Sequence, residues 1–248
     1  MSEQIFSLKG KRILVTGASS GIGAQTAITA SVMGAALIIT GRNEKNLNST
    51  LSQLHGTGHI AIAADMNETS DLIIDACNSL DGIVNCAGIT KHLPIKFIDK
   101  KGIDDVFSIN YTAPVILINQ LFKKKKINNG ASIVLLSSLA SMYPFKGGTL
   151  YSGAKAAIDN FSKTIAIEFA PQKIRSNTIN AGMVKTPLLK GAEETISKEA
   201  MAAHEKAYPL GFGEAADVAN MSIFLLSDAS KWVTGTCIVM DGGLTAGT

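Results

Sequence analysis

The stretch "RILVTGASSGIGAQTAITASVMGAALIIT", residues 12–40, decides the fold. It opens with a short β-prone run, passes through a glycine-rich turn at residues 16–23, continues as a helical pattern to Gly34 and closes with a second apolar run. A strand, a helix and a second strand in this order form a βαβ unit, whose two strands are parallel. The first forty residues therefore predict an α/β protein.

Five more apolar runs follow this unit, and the segments between them are long and periodic enough to be helices. The runs are "HIAIAA", "LDGIVNCAG", "ASIVLLSS", "IRSNTINAG" and "TGTCIVMDGG". Strands that alternate with helices predict a parallel sheet covered on both faces, which is a doubly wound, Rossmann-like α/β fold. Because no change in composition divides the 248 residues, we expect a single domain over residues 1–248.

The composition argues against several classes of protein. A formal net charge of +3 is too small to indicate a nucleic-acid partner. No apolar stretch approaches the ~20 residues of a membrane-spanning helix, and the start "MSEQIFSLKGKR" lacks the apolar run of a secretory signal. Cys77, Cys86 and Cys237 form no Cys-x-x-Cys pair, so we expect neither a metal site nor a disulfide framework. These features predict reduced thiols in a cytoplasmic protein.

Ligands of a doubly wound sheet bind at the carboxyl ends of its strands. The residues at those ends are therefore the candidates for a binding site. They are Thr16–Gly23, Thr40–Arg42, Asp65, Asn85–Gly88, Ser137–Ser138 and Asn180–Thr186.

The turn after the first strand carries Gly17, Gly21 and Gly23 in a G-x-x-x-G-x-G spacing. Without side chains there, backbone amides can approach a pyrophosphate, and the helix N-terminus favours its negative charge. The spacing differs from both the G-x-G-x-x-G fingerprint and the P-loop. A purely structural turn is the alternative, but the position directly after the first strand favours a dinucleotide.

The end of the second strand indicates which dinucleotide is bound. An acid there would bond a ribose 2′-hydroxyl, whereas an arginine accommodates a 2′-phosphate. The segment "TGRN" contains Arg42 and no acid. A charge-assisted contact is worth roughly 1.5–3 kcal/mol, so we expect NADP(H) to be preferred, with NAD(H) left open. The alternative is a solvated arginine that opens the next helix.

Tyr151 and Lys155 lie four residues apart in the helical pattern "LYSGAKAAIDNF", and so on one face of the helix. A free tyrosine has a pKa of about 10, so proton transfer near neutrality requires stabilisation of the phenolate by roughly 4 kcal/mol. A nearby ammonium and an oxidised nicotinamide both have the right charge to lower this pKa. By itself, the spacing is more often an ordinary surface pair.

Two further residues change that interpretation. Ser138 ends the strand "IVLLSS" thirteen residues before Tyr151, so a loop can bring its hydroxyl beside the phenol and a substrate oxygen. Asn110, in "VFSINYTAPVIL", could order a water behind Lys155. A buried amide bonded to the backbone is an equally good interpretation of Asn110.

With these residues assembled, the sequence resembles the short-chain dehydrogenase/reductase family over nearly its whole length. "TGASSGIG" is similar to the family's cofactor loop, "NCAG" to its Asn-Asn-Ala-Gly motif and "YSGAK" to its Tyr-x-x-x-Lys signature. The resemblance implies that Tyr151 protonates a carbonyl oxygen as hydride leaves the nicotinamide. It also implies that Lys155 binds the nicotinamide ribose and lowers the tyrosine pKa, that Ser138 orients the substrate oxygen and that Asn110 maintains a proton relay.

The resemblance also implies a set of cofactor-binding positions, with Asp65 at the adenine and both Val184 and Thr186 at the carboxamide. The set is Gly17, Ser19, Ser20, Gly21, Ile22, Gly23, Arg42, Asp65, Met66, Asn85, Ala87, Gly88, Tyr151, Lys155, Val184 and Thr186.

Two departures from the family pattern stand out. The usual Pro-Gly after the sixth strand is Ala181-Gly182 here, so we expect a looser loop around the nicotinamide. The segment between Asp65 and Asn85 is short, which predicts a truncated third crossover helix.

The sequence motifs do not select one substrate class or one partner. Residues 187–211 correspond to the family's mobile lid and contain Tyr208 and His204 as their only rings, which select no substrate. The resemblance extends to bacterial 3-oxoacyl carrier-protein reductases, so 3-oxoacyl thioesters are the leading expectation. Sugars, polyols and other small alcohols are the alternative. From a different class, a non-catalytic NADP(H)-binding sensor or scaffold also stays open.

The run Lys123–Lys126 is the only low-complexity segment. Its simplest interpretation is the end of a helix, where cations complement the dipole. The alternative is a basic surface for an acidic acyl carrier protein, as the resemblance suggests. The C-terminal "GTCIVMDGGLTAGT" resembles the family's last strand and tail, which commonly pack between subunits, so a homotetramer or homodimer is expected.

Overall fold

The computed structural model describes residues 5–68, 70–189 and 198–246. These residues contain a seven-stranded parallel sheet, so the predicted Rossmann-like fold is confirmed. Its strands are β1 Arg12–Thr16, β2 Ala36–Gly41, β3 Ile60–Ala63, β4 Leu80–Asn85, β5 Ile127–Leu136, β6 Arg175–Ala181 and β9 Cys237–Met240. Their order across the sheet is β3-β2-β1-β4-β5-β6-β9.

Helices cover both faces of this sheet. They are α1 Gly21–Val32, α2 Glu44–Leu51, α3 Ser70–Ala76, α4 Lys100–Phe107, α5 Ala113–Lys123, α6 Thr149–Glu168, α7 Lys198–Lys206 and α8 Ala215–Leu226. Along β1, Ile13 and Val15 pack into the core that contains residues of α1 and α8, whereas Leu14 packs into the core that contains residues of α5 and α6. Successive strand residues point to opposite faces, so a strand buried on both sides reads as a continuous apolar run.

The strand order places a crevice between β1 and β4. The chain moves outward from β1 to β3 and then returns across the sheet to β4, and ligands bind at the carboxyl ends beside such a reversal. Thr16 pairs with Thr40 on one side and with Asn85 on the other. This register brings the loops that follow β1, β2 and β4 to one edge.

Three local features are a short crossover helix, a π-helix and a separate pair of short strands. The third crossover helix, α3, spans seven residues, as the short segment predicts. A π-helix, Ser108–Thr112, joins α4 to α5. The strands β7 Val184–Lys185 and β8 Gly213–Glu214 form a separate parallel pair that was not predicted, because two residues are too few to show a periodic pattern.

The lysine run at residues 123–126 begins at the last residue of α5 and continues just past the helix end, in line with its simplest interpretation. Lys125 adopts a left-handed conformation with φ 53° just after the helix. The Lys124 ammonium lies 3.5 Å from an Asp75 carboxylate oxygen and 4.0 Å from one of Asp71. These exposed acids partly neutralise the run.

Within the described part of the chain, no helix combines the length and apolar character needed to cross a membrane. The same residues contain no cluster of three or more His, Cys, Asp or Glu side chains suited to a metal ion. The three cysteines are unpaired thiols.

Candidate active site

A cleft of about 390 Å³ opens at the carboxyl ends of β1, β2 and β4. Most of the predicted cofactor residues line it: Gly17, Ser19, Ser20, Gly21, Ile22, Gly23, Arg42, Asp65, Met66, Ala87, Gly88 and Thr186. Other lining residues were not in the predicted cofactor set. Thr40, Gly41 and Cys86 belong to the predicted strand-end segments, and Pro187 and Leu188 belong to the predicted lid. No prediction included Ala64, Asn67, Ile109, Ala113 or Leu136. Sequence reasoning thus identified one side of the cleft well, because its residues belong to short local motifs.

The glycine loop fits a dinucleotide because side chains are excluded from it. Gly17 has φ 67°, and a Cβ atom there would lie 2.7 Å from the Ala87 nitrogen. Ser20 is the N-cap of α1, but its side chain makes no capping hydrogen bond. The first amides of α1 therefore remain available to an anion, and the positive end of the helix dipole favours a pyrophosphate at this position.

The four predicted catalytic residues come together beside this cleft. Tyr151 and Lys155 lie on one face of α6, with the Lys155 ammonium 5.6 Å from the centre of the Tyr151 ring. The Ser138 side chain hydrogen-bonds the Tyr151 phenol. Gly88 lies between Asn110 and Lys155, since a Cβ atom there would be 2.8 Å from Asn110 Oδ1 and 3.6 Å from Lys155 Nζ.

Comparisons with known proteins agree with this arrangement. A family model described as enoyl-(acyl carrier protein) reductase matches residues 17–245. The L-xylulose reductase of Bos taurus is 33% identical over 242 residues, which cover 96% of this chain and 98% of the relative. The chain belongs to the short-chain dehydrogenase/reductase family.

Two further similarities come from bacteria. The 3-oxoacyl-(acyl-carrier-protein) reductase of Thermotoga maritima is 31% identical over 250 residues, covering 96% of this chain and 98% of the relative. A short-chain type dehydrogenase/reductase from Mycobacterium ulcerans has a similar structure, with a TM-score of 0.87 and 30% identity over 96% of this chain and 90% of the other. Family membership makes this protein an oxidoreductase that binds a nicotinamide cofactor.

The pKa of Tyr151 in this dehydrogenase/reductase moves opposite to the expected direction. Burial raises the pKa of the phenol, and the hydrogen bond with Ser138 offsets part of that rise. The Lys155 ammonium donates to the Leu136 carbonyl oxygen at 2.7 Å. The ammonium is bonded to the backbone and not to the phenol, so it does not offset the effect of burial on the tyrosine pKa. The lowering of that pKa by Lys155 together with an oxidised nicotinamide stays a prediction.

Lys155 itself is perturbed. Burial lowers its pKa from 10.5 to about 8, while the charges of Cys86 and Asp159 act in the opposite direction. A cation held in a buried site with few acidic neighbours is poorly solvated, so it gains from any electronegative group that approaches it. Lys155 is consequently well suited to bind the hydroxyls of a ribose.

Asn110 is a buried amide bonded to the backbone, as one of its two interpretations held. Its side-chain nitrogen donates to the carbonyl oxygens of Ile89 at 3.0 Å and Val106 at 2.9 Å, and its oxygen accepts from the Ile89 nitrogen at 3.3 Å. These bonds fix the amide next to Lys155. The relay role of Asn110 stays a prediction.

Arg42 lines the cleft directly after β2, and Asn43 caps α2 by accepting from the Asn46 nitrogen at 2.9 Å. Arg42 therefore both precedes a helix and borders the cofactor site.

Four predicted cofactor residues lie outside the cleft lining: Tyr151 and Lys155, which lie beside it, and Asn85 and Val184. Asn85 is buried and accepts a 2.8 Å hydrogen bond from the Thr16 hydroxyl, which in turn accepts from the Ala87 nitrogen at 3.3 Å. Asn85 therefore ties β4 to β1 beneath the cleft. Val184 is buried in β7, where it pairs with Gly213.

The loop around Ala181-Gly182 is anchored and not loose as expected. The Gly182 nitrogen donates to the Met240 carbonyl at 2.8 Å, and the Met183 nitrogen donates to the Tyr208 hydroxyl at 3.3 Å. A Cβ atom at Gly182 would lie 3.0 Å from the Tyr208 ring. Contacts with β9 and with the segment after α7 thus replace the stiffness of a proline.

The predicted lid, residues 187–211, is described only in part, since residues 190–197 lie outside the described residues. Within it, α7 confirms the helical pattern, and Tyr208 packs with Leu189, Phe212 and Met183. Lys185 in β7 forms an ion pair with Glu205 of α7 at 3.2 Å.

Sequence reasoning missed Asp159 and Asn180 as a pair. Asp159 lies eight residues after Tyr151 in the same helix, and Asn180 ends the sixth apolar run. The helical spacing could have drawn attention to Asp159, because every fourth residue shares a face. Nothing local indicates that these two side chains meet.

Proposed function

We propose that this protein is an NADP(H)-dependent carbonyl reductase that acts on 3-oxoacyl thioesters. The observation that carries the proposal is the contact of the Tyr151 phenol with Ser138, on the same helix face as Lys155 and beside a glycine-lined cleft. A phenol that is hydrogen-bonded, half-buried and next to a cation is suited to donate a proton to a polarised carbonyl oxygen.

Each of the four catalytic residues would have a separate role. Ser138 orients the substrate carbonyl oxygen, and Tyr151 donates its phenolic proton to that oxygen. Lys155 binds the nicotinamide ribose and stabilises the phenolate that forms, while Asn110 supports a proton path behind it. The nicotinamide, when bound, supplies the hydride to the carbonyl carbon.

The cofactor would lie along the cleft, with its pyrophosphate at the N-terminus of α1, its adenine near Asp65 and Met66, and its carboxamide near Val184 and Thr186. Arg42 supports NADP(H) over NAD(H). It lines the cleft after β2, where a guanidinium can bind a 2′-phosphate through charge-assisted hydrogen bonds.

The rim next to Tyr151 favours an apolar substrate. The loop from Ser138 to Tyr151 carries Met142, Tyr143 and Phe145, whose exposed fractions lie between 42% and 50%. The Phe145 ring packs edge-on against His92, with 5.1 Å between ring centres. A rim of this kind can cover a short acyl chain but offers few hydrogen bonds to a polyol.

Small ketoses are the second candidate class. The name of the Bos taurus relative refers to L-xylulose, and a Gallus gallus relative of 31% identity is named D-erythrulose reductase. Both would use the same four catalytic residues. A non-catalytic sensor or scaffold is less well supported, since binding alone requires no proton donor.

We also propose an acyl carrier protein as a partner and a homotetramer or homodimer as the assembly. The lysine run at residues 123–126 is at the far end of α5 from Ala113, which lines the cleft. Ten residues of helix span about 15 Å, so a carrier docked there would need to reach around the subunit or across to a partner subunit.

The exposed apolar side chains of Trp232 and Ile167 favour subunit contacts. The unpaired cysteines agree with the proposed cytoplasmic location.

The testing experiment is the initial rate of NADPH oxidation with acetoacetyl thioester, measured beside L-xylulose and D-erythrulose. We expect the thioester to have the highest kcat/KM, and NADH to give a rate about ten- to a hundredfold lower. A ketose preferred over the thioester would replace the substrate proposal. Tight NADPH binding without turnover on any carbonyl would favour the sensor.

The carrier proposal has its own test. Reversal of charge at Lys124 and Lys125 should slow reduction of carrier-bound substrate while sparing the free thioester. Equal rates with the carrier-bound substrate before and after reversal would exclude the docking role.

A further inference from the structure

A buried chain of polar groups lies behind Ser138 and joins three elements. The Asn180 side-chain nitrogen, near the end of β6, lies 2.8 Å from Asp159 Oδ2 on α6 and 2.8 Å from Ser141 Oγ. It also lies 3.5 Å from the Ser138 carbonyl oxygen. The Asn180 oxygen accepts from the Thr178 hydroxyl at 2.7 Å. Asn180 is thus bonded at both ends of its amide.

Asp159 determines which way that amide faces. An ionised carboxylate only accepts hydrogen bonds, so the amide nitrogen must point towards it. The Thr178 hydroxyl donates to the opposite end and reinforces this orientation. If Asp159 lost both oxygens, the amide could turn over and its link to the Ser138 carbonyl would be lost.

The group that Asn180 holds is the short turn that carries Ser138. This turn, Leu139–Ser141, starts with Ser138 as its N-cap, whose hydroxyl accepts from the Ala140 nitrogen at 3.1 Å. The Ser141 nitrogen donates back to the Ser138 carbonyl at 3.0 Å. Asn180 contacts the residues at both ends of the turn. Because the Ser138 side chain also bonds the Tyr151 phenol, a shift of the turn would move the proton donor's partner.

Asp159 also lies one helical turn after Lys155, which itself lies one turn after Tyr151. Residues spaced by four share a face of α6. The Asp159 side chain is buried, and its second oxygen has no hydrogen-bond partner among the described residues. Its negative charge is therefore poorly screened and acts on Lys155.

Among the residues that the structure describes, three titratable groups face Lys155. They are Cys86 at the end of β4, and Tyr151 and Asp159 on α6 itself. The amide of Asn110 and the Leu136 carbonyl, which face it from the π-helix and β5, are neutral. Of these groups, Asp159 is the one carboxylate, so its removal should lower the pKa of Lys155 further below 10.5.

We propose that Asp159 and Asn180 are positioning residues of the active site. Asp159 orients the Asn180 amide, Asn180 fixes the turn that presents Ser138 to Tyr151, and the Asp159 charge supports the Lys155 cation from the next turn of α6. Neither residue needs to touch the substrate. The inference rests on the reductase function proposed above.

The first variant, Asn180→Ala, removes the link between α6 and the turn. A displacement of about 1 Å in an active site costs on the order of a hundredfold in rate, so we expect kcat to fall about 10- to 100-fold. The KM for NADPH should stay within about threefold, because the cofactor cleft is lined by other residues. Amide exchange over residues 138–143 should become faster, and this readout requires no activity.

The second variant, Asp159→Asn, keeps an acceptor oxygen for Asn180 but removes the charge. We expect kcat at the optimum pH to stay within about threefold, while its alkaline limb moves to lower pH by about half a unit or more. The matched control is Glu168→Gln. It removes one negative charge from the exposed end of the same helix and should leave the limb in place.

A fallback variant and the inactive case are also covered by the test. If Asn180→Ala does not fold, Ser141→Ala removes one acceptor of the same amide and should lower kcat about 3- to 10-fold with faster exchange of the turn. Unchanged kcat, exchange and pH profile in Asp159→Asn and in the link variants would overturn the proposal. An inactive wild-type protein would instead contradict the reductase function, and the exchange data would still decide whether Asn180 holds the turn.

Discussion

At the carboxyl ends of β1 and β4, the shape of the site depends on glycines, which have no side chain. At the ends of β5 and β6, it depends on side chains that form hydrogen bonds with one another. A Cβ atom at Gly17 would lie 2.7 Å from the Ala87 nitrogen and one at Gly88 would lie 2.8 Å from Asn110 Oδ1, so neither position accepts a side chain without a shift. By contrast, Ser138, Asn180 and Asp159 form a continuous set of hydrogen bonds. The first region excludes side chains, and in the second region hydrogen bonds hold the side chains in place.

The two halves of the site should therefore respond differently to substitution. The cofactor half depends on local backbone geometry, so a substitution there should change binding and stability. The catalytic half depends on contacts between residues that are distant in sequence, so a substitution there should change rate and pH dependence.

The largest effect should come from Tyr151→Phe, which removes the phenolic proton donor and leaves the ring. General acid catalysis is worth about 10²- to 10⁴-fold, so we expect kcat to fall by this factor. The dissociation constant for NADPH, measured by fluorescence, should change by less than about threefold. Retained turnover would show that another group donates the proton.

Gly17→Ala tests the opposite half. The left-handed φ of 67° costs about 1–2 kcal/mol for a residue with a Cβ atom, and the contact with the Ala87 backbone adds about 1–3 kcal/mol. We expect a lower free energy of unfolding in urea and weaker NADPH binding. Gly58→Ala is the control, since Gly58 has φ 81° and a Cβ atom there would meet nothing within 4 Å. Equal losses in both variants would mean that close packing at Gly17 contributes nothing.

Lys155 should make the stability of the catalytic half depend on pH. Its pKa is lowered from 10.5 to about 8 by burial, so between these values the unfolded chain holds a proton that the folded chain has released. The contribution of Lys155 to the free energy of unfolding therefore rises with pH through this window, by on the order of 3 kcal/mol in total. Burial raises the pKa of the Cys77 thiol to about 11 and that of the Cys86 thiol to about 12, so both thiols act in the opposite direction above pH 9. Burial raises the pKa of Tyr151, which lowers stability only above its ordinary value of 10.

This dependence is measurable by urea unfolding at several pH values from 7.5 to 9.5, where tyrosine contributes little. The difference between the wild-type protein and Lys155→Met isolates the lysine. A difference that does not change with pH would show that Lys155 titrates in the folded protein as it does in the unfolded chain.

The smallest of these effects should come from Arg42→Ala. A charge-assisted contact with a 2′-phosphate is worth roughly 1.5–3 kcal/mol, so the dissociation constant for NADPH should rise about ten- to a hundredfold. Binding of NADH should be unchanged. Lys45→Ala removes a nearby exposed cation of α2 that does not line the cleft, and it serves as the control. Equal weakening of NADPH and NADH in Arg42→Ala would remove the basis for cofactor preference.

The strand–helix order, the glycine loop and the pair of Tyr151 and Lys155 were all predictable from the sequence, because each is a local pattern. Apolar runs and a helical spacing of four are properties of neighbouring residues, so they survive without any knowledge of the fold. The same reasoning could not identify β7 and β8, which are two residues each, nor the π-helix that buries Asn110.

The contacts of the catalytic residues depend on the tertiary structure. It directed the Lys155 ammonium to the Leu136 carbonyl, placed Asn85 beneath the cleft and brought Asp159 from α6 to Asn180 at the end of β6. These pairs are joined by packing across the sheet and not by chain proximity. The pKa of a buried group depends on all its neighbours together, so the shifts of Tyr151 and Lys155 became apparent only when the folded chain surrounded them.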